Sequence, residues 1–99
     1  MGTISEREFL ASLERETPEV ELPPLLQAIR HGLRGEWEPA HRIAQTVEDT
    51  DGAWVHAWLH RVEGDLANAG YWYRRAGKPA ETGSTDDEGR AIARALLER

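Results

Sequence analysis

The sequence predicts an all-α protein of stacked antiparallel helical hairpins, with five to six helices in a single domain. Three observations support this fold class. Apolar residues recur at the three- and four-residue spacing of an amphipathic helix, and no stretch alternates like a strand. Capping residues, prolines and glycines mark the ends of each apolar segment. A shift of 29 residues also brings one part of the chain into register with another.

Each helix is predicted from its own start and stop signals. A capping box begins at Ser5, and Thr17-Pro18 ends the first helix. Pro23-Pro24 begins the second helix, because proline is tolerated in a first turn. Asp51 and Asp65 cap the fourth and fifth helices. The predicted helices lie at about residues 5–16, 24–35, 36–48, 52–63, 66–76 and 86–99.

The internal repeat groups these helices into two hairpins. Under the 29-residue shift, Leu25, Leu26, Ala28, Ile29, His31, Leu33, Gly35, Glu36 and Ala40 fall on Trp54, Val55, Ala57, Trp58, His60, Val62, Gly64, Asp65 and Ala69. Each unit is therefore a helix, a Gly–acid turn and a second helix, and such units stack on their neighbours. The predicted organisation is a capping helix and linker (1–21), hairpin one (22–49), hairpin two (50–79), and a loop with a C-terminal helix (80–99).

The turn and second helix of each hairpin resemble the tetratricopeptide class of helical repeats. The resemblance covers about residues 22–79 and rests on Gly64-Asp65 followed by Ala69, Tyr73 and Ala76. It implies stacked hairpins, although the period is 29 residues and not 34. The stretch 54–77 is also similar to short bacterial proteins that have no assigned activity, so this likeness implies no function.

The composition excludes several classes of function. The 99 residues include 18 acidic and 12 basic side chains, giving a net charge of −6, whereas nucleic-acid binding requires a basic surface. Cysteine is absent, which excludes disulfides and thiolate chemistry. No apolar run is long enough to span a membrane, and the first residues do not read as a signal peptide. We therefore expect a cytoplasmic protein that binds neither nucleic acid nor membrane.

The fourth helix carries the pattern His-x-x-x-His-x-x-Glu. His56, His60 and Glu63 share one stripe of this helix, and a hairpin stack would direct His41 toward it. Two histidines four residues apart can both bind a divalent metal, so these four residues are a candidate site for zinc, nickel or iron. The alternative is that they are half-buried, hydrogen-bonded structural histidines.

The fifth helix places an amide, two aromatic rings and a guanidinium on one face. These side chains are Asn68, Tyr71, Trp72 and Arg75, at helical spacing. Such a face could bind a peptide or a small anion. Alternatively, it packs against the C-terminal helix with Arg75 laid over a ring.

The function predicted first is a small interaction module. It would bind a peptide, a partner protein or a second copy of itself as a homodimer. Its ligand-binding face would comprise Trp37, His41, His56, His60, Asn68, Tyr71, Trp72 and Arg75. The alternative is a metal-binding protein or metal-dependent enzyme that uses His41, His56, His60 and Glu63. No catalytic residue is predicted, and the sequence leaves enzymatic activity open.

Overall fold

The computed structural model describes residues 4–18 and 20–99 of the chain. Within these residues it contains six helices and no strand, which confirms the all-α prediction. The helices are α1 (Glu6–Ser12), α2 (Pro24–Leu33), α3 (Trp37–Ala44), α4 (Thr50–Val62), α5 (Leu66–Ala76) and α6 (Thr85–Leu97). Over this part of the chain, no helix has the length and apolar character needed to cross a membrane.

Two antiparallel hairpins, α2–α3 and α4–α5, form the centre of the fold. Each hairpin turns at a glycine with a left-handed backbone, Gly35 at φ 82° and Gly64 at φ 88°. After each glycine, the amide of the acidic residue donates to a carbonyl of the preceding helix, at 2.8 Å in the first turn and 2.9 Å in the second. These are helix-ending motifs that favour glycine, and they place the two turns in the same conformation.

The first and third helices end earlier than the sequence predicts. Carbonyl groups at the end of α1 accept hydrogen bonds from the end of α2: Arg30 donates to the Ser12 carbonyl at 3.0 Å, and Arg34, the C-cap of α2, donates to the Leu13 carbonyl at 2.8 Å. These bonds replace the further helical turn expected up to residue 16. After α3, the Thr46 hydroxyl donates to the Ile43 carbonyl at 2.7 Å, a local bond that competes with helix continuation.

The last helix covers the first helices of both hairpins. α6 packs on α2 and α4, and α1 contacts α6 from outside. Trp58 lies at the centre of this packing with 1% of its surface exposed, and its indole N–H donates to the Thr85 carbonyl at 2.7 Å. Glu88 of α6 pairs with Arg61 at 2.6 Å and accepts a hydrogen bond from the Tyr73 hydroxyl. These contacts hold α6 against α4, and α4 is consequently enclosed on all sides.

The close approach of α6 to Trp58 predicts the effect of one substitution. A Cβ atom added at Gly89 would lie 2.4 Å from Trp58 Cζ2 and 2.9 Å from Leu33 Cδ2. We expect Gly89→Ala to lower the free energy of unfolding by about 1–3 kcal/mol through overpacking. Gly70→Ala is the matched control, because its Cβ would meet only the flexible Arg74 side chain at 3.6 Å. Urea denaturation should show the control to be neutral or about 0.5–1 kcal/mol more stable, and equal stability of both variants would contradict the packing described here.

Candidate metal centre

Three histidines from two helices meet between the hairpins. His56 and His60 are one turn apart on α4, so both face α3, which contributes His41. The Nε2 atoms of His41 and His56 lie 2.9 Å apart, at hydrogen-bonding distance. One ring nitrogen from each histidine lies within 4.8 Å of the other two. The structure thus brings together the three predicted histidine ligands.

The three imidazole rings have a defined mutual orientation. His56 and His60 are stacked with centroids 4.9 Å apart and planes at 19°. The His41 ring meets the other two edge-on, at 4.6 Å and 79° to His56 and at 5.3 Å and 70° to His60. Each of the three rings therefore lies against both of the others.

Two tryptophans enclose the histidine cluster. Trp37 stacks on His41 with centroids 4.5 Å apart, and Trp72 stacks on His56 with centroids 3.9 Å apart. The indole N–H of Trp37 donates to the Leu59 carbonyl at 2.6 Å, which fixes this ring in place. The tryptophans therefore limit the access of water to the cluster and restrict movement of the imidazoles.

The Glu63 carboxylate forms a hydrogen bond with the His60 ring. One oxygen of Glu63 lies 2.8 Å from His60 Nδ1, so the carboxylate favours a proton on Nδ1 and leaves Nε2 as the nitrogen available to a ligand. Glu63 forms a separate group with His60 and Asp65 and does not join the group of three histidines. The sequence predicted Glu63 as one of four candidate ligands with His41, His56 and His60; in the structure its carboxylate is hydrogen-bonded to His60 Nδ1 and lies outside the group of three histidines.

Burial favours the neutral form of two histidines in the cluster, His56 and His41. Burial lowers the pKa of His56 to about 4, with further contributions from His41, His60 and the Arg75 guanidinium. Burial likewise lowers the pKa of His41, and the neighbouring His60 acts in the same direction. Neutral imidazoles have free lone pairs, which is the form that binds metal ions.

The predicted face of α5 reaches the histidine cluster only in part. Arg75 lies over the rings of Trp72 and Tyr71, at 5.0 Å and 5.8 Å from their centroids, and Trp72 connects this face to His56. Tyr71 is 45% exposed. Asn68 is exposed and bonds to the Asp65 cap, with the carboxylate accepting from its backbone and side-chain N–H groups at 3.2 Å and 3.4 Å. Asn68 is therefore a helix-capping neighbour and not part of the cluster.

Sequence reasoning missed a cleft that borders the cluster. The cleft has a volume of about 340 Å³ and separates the α3–α4 connection from α5. The sequence predicted residues 45–48 as the end of the third helix, and nothing in their pattern indicated a wall of a cleft. Its charged and polar lining residues are Gln45, Glu48, Asp49, His56, Trp72 and Arg75.

The fourth histidine provides an internal comparison. His31 stands in hairpin one where His60 stands in hairpin two, and its Nδ1 lies 2.7 Å from a Glu36 oxygen. Both histidines therefore pair with a nearby glutamate at the end of a helix. Of these two equivalent residues, His60 alone belongs to a group of three histidines in the part of the chain that the structure describes.

Comparison of the chain with protein-family models, curated proteins and solved structures finds no match. The resemblance to tetratricopeptide repeats accordingly stays a prediction, and the function is argued from the site alone.

The lowered pKa of His56 predicts that acid destabilises the metal-free protein. The unfolded chain binds a proton at His56 near pH 6.5, whereas the folded chain does so only near pH 4. The stability that depends on neutral His56 is thus lost as the pH falls through this window. Between pH 7 and pH 5, we expect this group to lower the free energy of unfolding by about 2 kcal/mol.

Urea denaturation at several pH values, with a chelator present, tests this expectation. His56→Gln should flatten the fall in stability between pH 7 and pH 5, whatever its effect at pH 7. His31→Gln is the matched variant that removes a histidine outside the cluster. The same pH dependence in His56→Gln and the unmodified protein would contradict the assignment.

Proposed function

We propose that this protein binds a divalent transition-metal ion, zinc in the first place, through His41, His56 and His60. The observation that carries the proposal is the convergence of three imidazole nitrogens within 4.8 Å of one another. Imidazole is a ligand that suits zinc, nickel and iron, and three histidines hold the metal in one well-known class of zinc site.

The distances in the cluster are close to those that a metal requires. A point equidistant from three nitrogens at the largest separation lies about 2.8 Å from each, so movements of about 1 Å or less would reach the zinc–nitrogen distance of roughly 2.0–2.1 Å. Tetrahedral zinc separates two ligand nitrogens by roughly 3.3 Å. The metal would therefore replace the 2.9 Å hydrogen bond between His41 and His56 with two coordinate bonds.

The surroundings of the cluster support metal binding. Neutral histidines need not lose protons when the metal arrives, so binding would persist below neutral pH. Glu63 would hold His60 in the tautomer that presents Nε2, as carboxylates commonly do for metal-binding histidines. Three protein ligands also leave one tetrahedral position for water or an exogenous ligand, and any reaction of the site would take place there.

Binding of a peptide, a partner protein or a second copy stays a prediction. Internal contacts favour metal over such a partner at this face. Trp37 stacks on His41 and donates to the Leu59 carbonyl, and Trp72 stacks on His56, so both tryptophans of the predicted partner face already contact the cluster or its helix.

Metal titration of the tag-free protein tests the proposal. We expect about one zinc ion per chain, measured by calorimetry and by elemental analysis after dialysis. His56→Ala and His60→Ala should each weaken binding by more than about 100-fold, because each removes a direct ligand, whereas His31→Ala should leave binding unchanged. At a free zinc concentration of 100 times Kd, the stabilisation is about 2.7 kcal/mol, or a rise in Tm of roughly 10–20 °C.

Two results would contradict metal binding at this site. One is an unmodified protein that takes up well below one equivalent and shows no change in Tm with zinc or nickel. The other is equal loss of binding in His31→Ala and His60→Ala, because His31 lies outside the cluster.

The hydrogen bond to His60 predicts a supporting role for Glu63. Glu63→Gln should weaken zinc binding by about 10–100-fold without changing the stoichiometry, because the ring loses the carboxylate that fixes its tautomer. Glu36→Gln is the matched control, since it breaks the corresponding pair at His31. Nitrogen chemical shifts of His60 in the metal-free protein should report a change of tautomer in Glu63→Gln. Complete loss of one zinc equivalent would instead indicate that Glu63 is itself a ligand.

A further inference from the structure

The cleft beside His56 has the dimensions of a small-molecule site. Its volume of about 340 Å³ lies at the lower end of the roughly 300–1,000 Å³ range of ligand pockets. One wall is the connection between α3 and α4, and the other is the face of α5 that carries Trp72 and Arg75. The cleft and the proposed metal centre have only His56 in common.

Arg75 provides a positioned cation on one wall. Its guanidinium lies 5.0 Å from the centroid of Trp72 and donates to the Tyr71 hydroxyl at 3.3 Å. Among residues 4–18 and 20–99, it has no carboxylate partner. A side chain already held on an aromatic face loses less conformational freedom when it binds an anion.

The opposite wall carries acidic groups. Asp49, and not Asp51 as the sequence predicted, caps α4: its carboxylate accepts from the Gly52 amide at 2.8 Å, whereas Asp51 lies within the first turn of the helix. Glu48 forms neither a side-chain hydrogen bond nor an ion pair within the described part of the chain, and it does not pair with Arg75 although both line the cleft. A simple anion would be attracted to Arg75 and repelled by these acids, whereas a molecule with both charges satisfies both walls.

Apolar groups also line the cleft. Ala44, Val47 and Ala53 contribute methyl groups, and Trp72 contributes its ring. Ala44 and Ala53 are buried parts of α3 and α4, so this surface is fixed by the hairpins. An apolar substituent on the ligand would contact it.

We propose that this cleft binds a small zwitterion, the simplest being a free α-amino acid with an apolar side chain. The carboxylate of the ligand pairs with the Arg75 guanidinium, and its ammonium group pairs with Glu48. The side chain lies against Trp72 and Ala53. This site goes beyond the proposed metal binding and does not depend on it.

A titration with L-leucine and two matched analogues tests the charge requirement. Isocaproate lacks the amine of leucine, and isoamylamine lacks its carboxylate. Calorimetry and amide NMR shifts are recorded with a chelator present, so that direct binding of leucine to a metal cannot contribute. We expect saturable shifts at Gln45, Glu48 and the Trp72 indole with leucine, and binding of each analogue weaker by about tenfold or more.

Variants on both walls locate the site. Arg75→Gln and Glu48→Gln should each weaken leucine binding by about tenfold. Arg74→Gln is the matched control, because Arg74 is exposed on the same helix and does not line the cleft. Absence of saturable shifts, equal binding of isocaproate and leucine, or equal effects of Arg74→Gln and Arg75→Gln would each overturn the proposal.

Zinc binding of the same variants separates the two proposals. A protein that binds zinc but not leucine retains the metal centre and refutes the zwitterion site. A protein that binds leucine but not zinc retains the zwitterion site and refutes the metal centre.

Discussion

Enclosure of α4 is the constraint on which the rest of the structure depends. α2, α3, α5 and α6 all pack against it, and its residues are buried almost without interruption from Gly52 to His60. A helix enclosed on all sides is ordinarily apolar all round. α4 departs from this rule at two residues one turn apart, His56 and His60, which are 6% and 7% exposed. Polar groups at such positions require partners inside the protein, and His41 and Glu63 are the partners that the neighbouring segments supply.

Stability alone is a poor explanation for this cluster. Apolar side chains of similar size could fill the same space without needing hydrogen-bond partners. Within the described residues, every buried side-chain polar atom nevertheless has a hydrogen-bond partner, and in the cluster His41 pairs with His56 and His60 pairs with Glu63. Trp37 and Trp72 add stacking on both sides, which restricts the rings further. The three imidazole rings lie close together, and burial favours the neutral form of His41 and His56, an arrangement that suits metal binding better than core packing.

The sequence was sufficient to predict what depends on local rules. Helical spacing and the glycines at 35 and 64 predicted the hairpins, and the four-residue spacing placed His56 and His60 on one face. The approach of His41 followed from stacking the hairpins. The remaining features depend on tertiary contacts between distant segments. Arg30 and Arg34 donate to the carbonyls of Ser12 and Leu13 at the end of α1, although they lie about 20 residues later in the chain. Residues 45–49 form a cleft wall only because α5 lies opposite them. The hydrogen bond between Glu63 and His60 depends on the side-chain rotamer of Glu63, which residue spacing cannot predict.

The repeat explains where the site lies, and the differences between its two units explain its chemistry. His60 and His31 occupy equivalent positions and pair with glutamates in both hairpins. The equivalents of His56 and His41 are Gln27 and Gly70, and Gln27 donates to the Leu22 carbonyl instead of contacting a histidine. α3 of the first hairpin packs against α4 of the second. A histidine on α3, His41, and a histidine on α4, His56, therefore come into contact across that interface. His60 has a histidine at the equivalent position of the other hairpin, whereas His41 and His56 do not. Two histidines beside His60 are thus enough to form a three-histidine centre in such a scaffold, because the fold already brings their positions together.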